Sequence, residues 1–170
     1  MSCDITSGRA RQCKRFLGGQ SSLYLFNFVD DPFTIVAGEA TAISPSLTTV
    51  YEYVLEGDGN TLVENMVPDR NTGTRVNTQT LTIVLKGISA ADSNQFNLLS
   101  SGFPQAVVKD RNGVYHAVGL DDGIDFSVGS QTGGAKTDLY GFTLTGVSTT
   151  KDLSPKLDSA TVTAFLALVS

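Results

Sequence analysis

The chain has 170 residues, with 17 acidic against 12 basic side chains, a formal net charge of -5 and 41 % hydrophobic residues. That length suits one domain with a core of its own, and the acidic balance argues against general affinity for a nucleic-acid backbone. No apolar run approaches the ~18 residues of a membrane span, and the opening MSCDITSGRARQCK is too polar for a signal peptide. The expectation is a chain folded in a cytoplasm, without a membrane anchor.

Residues 1–20 read as an N-terminal arm, polar and basic through Arg9, Arg11, Lys14 and Arg15 and closed by Gly18 and Gly19. A single β-rich domain is expected over 21–170. Cys3 and Cys13 are too few for a disulfide framework, and one histidine, His116, without CxxC or HxxxH spacing, leaves zinc without a ligand set. The cysteines read as reduced and packed as small apolar groups, or as a bridge closing the arm in an oxidising medium.

The run SSLYLFNF predicts a strand over 23–28, ended by VDDPF, whose proline has no N–H for a ladder. Next, TTVYEYVLEG alternates, placing Val50, Glu52, Val54 and Glu56 on an acidic face and Tyr51, Tyr53 and Leu55 on an apolar one. In VNTQTLTIVLKG, Leu81, Ile83 and Leu85 alternate with Thr80, Thr82, Val84 and Lys86, a second strand rich in β-branched residues. Between these two, residues 60–77 read as a loop far longer than the ~2–5 residues of ordinary hairpin connections. Leu62, Val63, Met66 and Val67 mix there with Glu64, Asp69, Arg70 and Arg75. Such a segment offers apolar anchors and ion-pair partners to a neighbouring subunit and should be mobile without one.

Further on, ISAADSNQFNLLSSGF predicts a short helix with Ser89 as cap and Asp92 in its first turn. The DRNG of QAVVKDRNGVYHAVGL predicts a hairpin between 106–108 and 114–118. Two more strands flank the glycine-rich turn of IDFSVGSQTGGAKTDLYGFTLTGVS, and SATVTAFLALVS reads as a closing helix with Val162, Phe165 and Val169 on one side. The fold class is therefore mainly β with one or two small helices.

Catalytic chemistry finds little to stand on. His116 sits mid-strand with no GxSxG nearby. Asp30 with Asp31, and Asp121 with Asp122 and Asp125, could hold calcium or act as acid and base, but their Pro32 and Gly123 neighbours favour turns. GGAKT misses the phosphate-loop spacing, and the absence of tryptophan weakens any stacking groove. No enzyme activity, catalytic residue, metal or cofactor is expected.

Three stretches carry a resemblance: SCDITSGRARQCKRFLGG leading into a strand, NTLVENMVPDRNTGTRVNTQTLTIVLKG, and AKTDLYGFTLTGVS. Together they resemble the tail tube (major tail) protein family of tailed bacteriophages, over most of the chain from Ser2 to Ser148. The resemblance implies a β-sandwich or open β-barrel with one flanking α-helix and a long hairpin loop. It further implies hexameric rings that stack into a DNA-conducting tube in the virion tail, assembled in the host cytoplasm. The chain's partners would be itself and other virion tail proteins, with DNA only as passing cargo. By this likeness 60–77 matches the intersubunit loop, carried by the strands over 51–55 and 79–85. Its candidate interface residues are Leu62, Glu64, Met66, Asp69, Arg70 and Arg75. Arg9, Arg11, Lys14 and Arg15 would meet a neighbour's acidic turn, while Glu52 and Glu56 would face the lumen and repel phosphate. Competing expectations are a head-to-tail connector, a minor tail or baseplate protein, a monomeric β-sandwich module binding host carbohydrate, and a calcium-dependent hydrolase at Asp121, Asp122 and Asp125.

Overall fold

A computed structural model describes residues 3–170. Two sheets, one of seven strands and one of four, stack with two short helices. β1 (Gln20–Phe26), β2 (Phe33–Val36), β3 (Glu39–Ile43), β4 (Tyr51–Val54), β7 (Gln105–Asp110), β8 (Tyr115–Val118) and β11 (Lys156–Leu157) form the larger sheet, in the order β2-β3-β11-β8-β7-β1-β4. The smaller sheet has the order β5-β6-β10-β9, from β5 (Thr61–Asp69), β6 (Thr74–Lys86), β9 (Asp125–Gln131) and β10 (Gly141–Thr150). The mainly β expectation and both helices are present: α1 (Ala90–Ser101) and α2 (Ser159–Leu166).

β1 explains why the larger sheet has two cores. Its residues from Ser22 to Phe26 are all buried, because successive side chains point to opposite faces and both faces are covered. Leu23 and Leu25 meet Ala106, Val108, Leu81, Ile83 and Leu144 in the core between the sheets. Tyr24 and Phe26 point the other way, into a second core closed by Phe165 of α2. Phe165 is fully buried and packs its ring on Tyr24, Phe26 and Phe33 at centroid separations of 5.6, 6.2 and 6.0 Å. α1 closes one end of the inner core, with Phe96 packed edge-on against Phe142 at 4.7 Å. Ser89 caps it as expected, its hydroxyl accepting from the Asp92 N–H.

The predicted loop over 60–77 is not a loop. It is a β-hairpin, β5 and β6, paired antiparallel from Thr61↔Thr82 to Asp69↔Thr74 and turning over residues 70–73. Asp69 Oδ1 accepts from the N–H groups of Asn71 (2.8 Å) and Thr72 (3.4 Å), and Gly73 supplies the left-handed residue at φ 67°. A polar segment can be a strand when one of its faces meets solvent, so low hydrophobicity alone does not make a loop. A second correction concerns pairing. The strand at Tyr51 does not flank this hairpin: β4 pairs with β1 in the larger sheet, Tyr53 opposite Leu23, while β6 pairs with β5 and β10 in the smaller.

Candidate assembly surfaces

The β5–β6 hairpin has an inward and an outward face. Inward, Leu62 packs on the inter-sheet core and Glu64 lies opposite Gln79. Met66, Arg75 and Gln79 line a cleft of about 560 Å³ beside Phe33 and Ile35. Glu64 accepts from Asn77 Nδ2 (3.0 Å), Gln79 Nε2 (2.9 Å), and the N–H and hydroxyl of Ser154 (both 2.8 Å). Burial acts to raise its pKa, but these four donors outweigh it and hold the carboxyl below the usual value. Arg75 pairs with Asp152 and Asp69 caps the turn. Of the six candidate interface residues, then, Glu64, Arg75 and Asp69 are engaged within their own subunit, Leu62 and Met66 face inward, and Arg70 is exposed in the turn.

The outward face went unread in the sequence. β5 contributes Thr61, Val63, Asn65 and Val67; β6 Val76, Thr78, Thr80 and Thr82; β10 Thr143, Thr145, Val147 and Thr149; β9 Ser127, Gly129 and Gln131. No charged side chain interrupts this field; Lys86, Asp69 and Asp125 stand at its margins. The alternation of Thr80 and Thr82 with the core residues was visible, but the matching threonines of β10 join them only through strand pairing. Each outer strand of this sheet, β5 and β9, has a ladder partner on one side only among the described residues.

Glu52 and Glu56 do not share a strand face. Glu52 lies on β4, where its carboxylate accepts from the hydroxyls of Ser22 (3.2 Å) and Tyr24 (3.1 Å). Burial first, and then the Glu52 charge, push the Tyr24 phenol up. Glu56 lies beyond the strand end and meets Lys86 Nζ at 3.7 Å. Both belong to the side of the molecule where the larger sheet ends.

The arm has no regular secondary structure, with a tight turn where the Arg15 N–H donates to the Cys13 carbonyl (3.0 Å), and every residue over 3–18 is exposed. Arg9, Arg11, Lys14 and Arg15 are displayed together, Arg15 lying 5.8 Å from the Phe16 ring centroid. The root is fixed. Asn112, at the tip of the β7–β8 turn, accepts from the Leu17 N–H at 2.9 Å and donates to the Leu17 carbonyl at 2.8 Å. Arg111 donates to the carbonyls of Gly18 (3.3 Å) and Gly57 (2.6 Å). The sequence reading missed both anchors, because the partners are more than ninety residues away. Cys3 and Cys13 are exposed free thiols and not packed apolar groups, since the arm has no body of its own to pack against.

His116 Nε2 lies 3.0 Å from Asp110 Oδ2 within the predicted hairpin. Burial raises the Asp110 pKa, but His116 and the N–H groups of Val114 and Asn112 outweigh it and lower the value. Asp121 accepts from the Lys151 N–H at 2.8 Å, a contact that ties its loop to the end of β10. Among the described residues no group of three or more His, Cys, Asp or Glu side chains is placed to hold a metal, and no helix is long and apolar enough to cross a membrane. Compared with known protein families, curated proteins and solved structures, the chain matches none.

Proposed function

We propose that this chain is a non-catalytic structural subunit of a bacteriophage virion tail, self-assembling into hexameric rings that stack into a tube conducting DNA. The observation that carries the reading is the four-stranded sheet, with two open edges and an uncharged outer face. An unpaired edge is a template for another chain, and β5 of one copy meeting β9 of the next would be a head-to-tail contact that repeats until it closes. The seven-stranded sheet is the broader layer and suits the outer circumference, which leaves the threonine face toward the channel. That wall would be neutral rather than acidic. It offers DNA no cation to bind, so phosphate passes without being held.

The test is negative-stain electron microscopy of the purified, concentrated protein. Rings or stacked rings are expected. Isolated rings that never stack would move the reading to a connector or minor tail component, and single small particles at every concentration would overturn self-assembly.

A further inference from the structure

β4 is the last strand of the larger sheet, and among the described residues its outer edge is only partly occupied. At Val50 the closing segment adds alongside: the Val50 N–H donates to the Leu168 carbonyl (3.1 Å), and the Ser170 N–H donates to the Val50 carbonyl (2.9 Å). Leu55, by contrast, directs its N–H inward to Ser21 (3.0 Å). Strand alternation then turns the backbone groups of Glu52 and Val54 outward, in line with Val50, and among the described residues no strand pairs with them there. Val54 is 67 % exposed.

Beside this edge runs a groove of about 530 Å³ between β4 and α1, lined by Phe28, Tyr51, Tyr53, Leu98, Phe103 and Asp122 among others, with no Lys or Arg in its wall. Leu98 and Phe103 are 62 % and 61 % exposed, large apolar groups set toward solvent. Two carboxylates stand by it: Asp122 is in the wall, and Asp92 of α1 is close enough to help burial raise the Tyr53 phenol.

The arm has the complementary character. Residues 1–20 hold four cations against one carboxylate, a net +3, and the remaining chain holds eight against sixteen, a net -8. The arm's apolar residues Ile5, Phe16 and Leu17 are exposed, Ile5 at 94 %. From the pinned Leu17, fully extended chain at ~3.3 Å per residue would carry Ile5 at most roughly 40 Å away, so the arm has the length to leave its own body.

We propose that the arm of one copy docks on the β4 edge and groove of a second copy. The extended backbone around Ile5 and Thr6 pairs with the outward groups of Glu52 and Val54, as strand addition does. The arm's apolar side chains enter the groove, and its cations lie over Asp92 and Asp122. The contact rests on the self-assembly reading only in needing a second copy, and it uses a surface separate from the β5 and β9 edges.

The arm's native thiols supply the test. A wild-type copy is mixed with a mass-tagged copy in which Cys3→Ser and Cys13→Ser remove the arm thiols and Leu98→Cys places one at the groove, or Val54→Cys one on the β4 edge. Mild oxidation should give a covalent heterodimer, several-fold above a control carrying Val147→Cys on the threonine face. Raised salt should cut the yield several-fold, as should reversing Arg9, Arg11, Lys14 and Arg15 to Glu. Rings by electron microscopy with cross-linking no better than the control would overturn arm docking and leave the assembly reading standing. An untagged chain with native cysteines and Leu98→Cys that closes only an internal disulfide would overturn it in favour of the arm's own groove. Neither rings nor cross-links at any concentration would overturn both.

Discussion

Glu64 Oε1 lies 2.8 Å from the backbone nitrogen of Ser154, ninety residues further along the chain. This contact, with the Asn77 and Gln79 amides on the same carboxylate, fastens the β5–β6 hairpin to the loop after β10. Glu64→Ala should destabilise the fold by about 2–4 kcal/mol, because buried amides lose their acceptor. The pH dependence has a definite sign. The folded-state pKa lies below the ordinary 4.5, so the stabilisation is complete above that value and is lost as pH falls through the folded pKa. Thermal midpoints measured over the acid range should drop more steeply for the wild type than for Glu64→Gln.

Asn112 brackets the Leu17 peptide from both sides. In Asn112→Ala the Leu17 amide should exchange with deuterium about tenfold faster or more, since its acceptor is gone. Amides in the centre of β1 should be unaffected. If Leu17 exchanges equally in both proteins, the arm root is held by something other than Asn112.

The hairpin tip separates folding from assembly. Val67 and Val76 are paired opposite each other, so replacing residues 68–75 by Asn-Gly gives a two-residue turn on an existing register. The cost should stay within about 1 kcal/mol, because the deleted part is exposed and Arg75–Asp152 is a surface pair. Monomer circular dichroism should be unchanged. Ring formation should fail if the tip contacts a neighbour, and normal rings would remove the tip from the interface.

Legibility in the sequence followed the range of the physics. α1 was readable because Ser89 and Asp92 cap it locally, and the β7–β8 hairpin because Asp110, Asn112 and Gly113 make its turn by themselves. β5 was missed because its inward positions include Glu64 and Pro68, which blur the apolar alternation; Glu64 is tolerable there only because donors from β6 and residue 154 reach it. β2 and β3 were missed because their tight turn is Ala37-Gly38, at φ 52° and 83°, without the asparagine that marks such a turn. The threonine face and the open β4 edge depend on which strands lie side by side, and no local pattern carries that.

The same Ala37 makes a stabilising prediction. An alanine at positive φ is strained, while asparagine tolerates that region. Ala37→Asn should raise stability by about 0.5–1 kcal/mol, seen as an upward shift of the denaturant midpoint at constant slope. No change would mean that the β2–β3 turn relaxes away from the left-handed geometry.

Gly141 has the opposite sensitivity. A Cβ there would come within 3.0 Å of Lys86 Cα and overlap the Leu85 carbonyl, both backbone atoms that cannot swing aside. Gly141→Ala should therefore cost about 1–3 kcal/mol or more, lowering the thermal midpoint, and the β6–β10 ladder should lose exchange protection first.

β11 bears on how the molecule is made. Among the described residues its two, Lys156 and Leu157, are the sole ladder link between the β2–β3 hairpin and β8 in the larger sheet. The β2–β3 hairpin can form early from local contacts, and Phe33 can meet Phe26 of β1, yet the hairpin has no ladder partner in the sheet until residues 156–157 are in place. A pairing of high sequence separation, Lys156 with Glu39, thus completes the sheet, and such contacts close slowly. The larger sheet is therefore complete only once residues 156–157 are in place, and its second core only once Phe165 of α2 is packed.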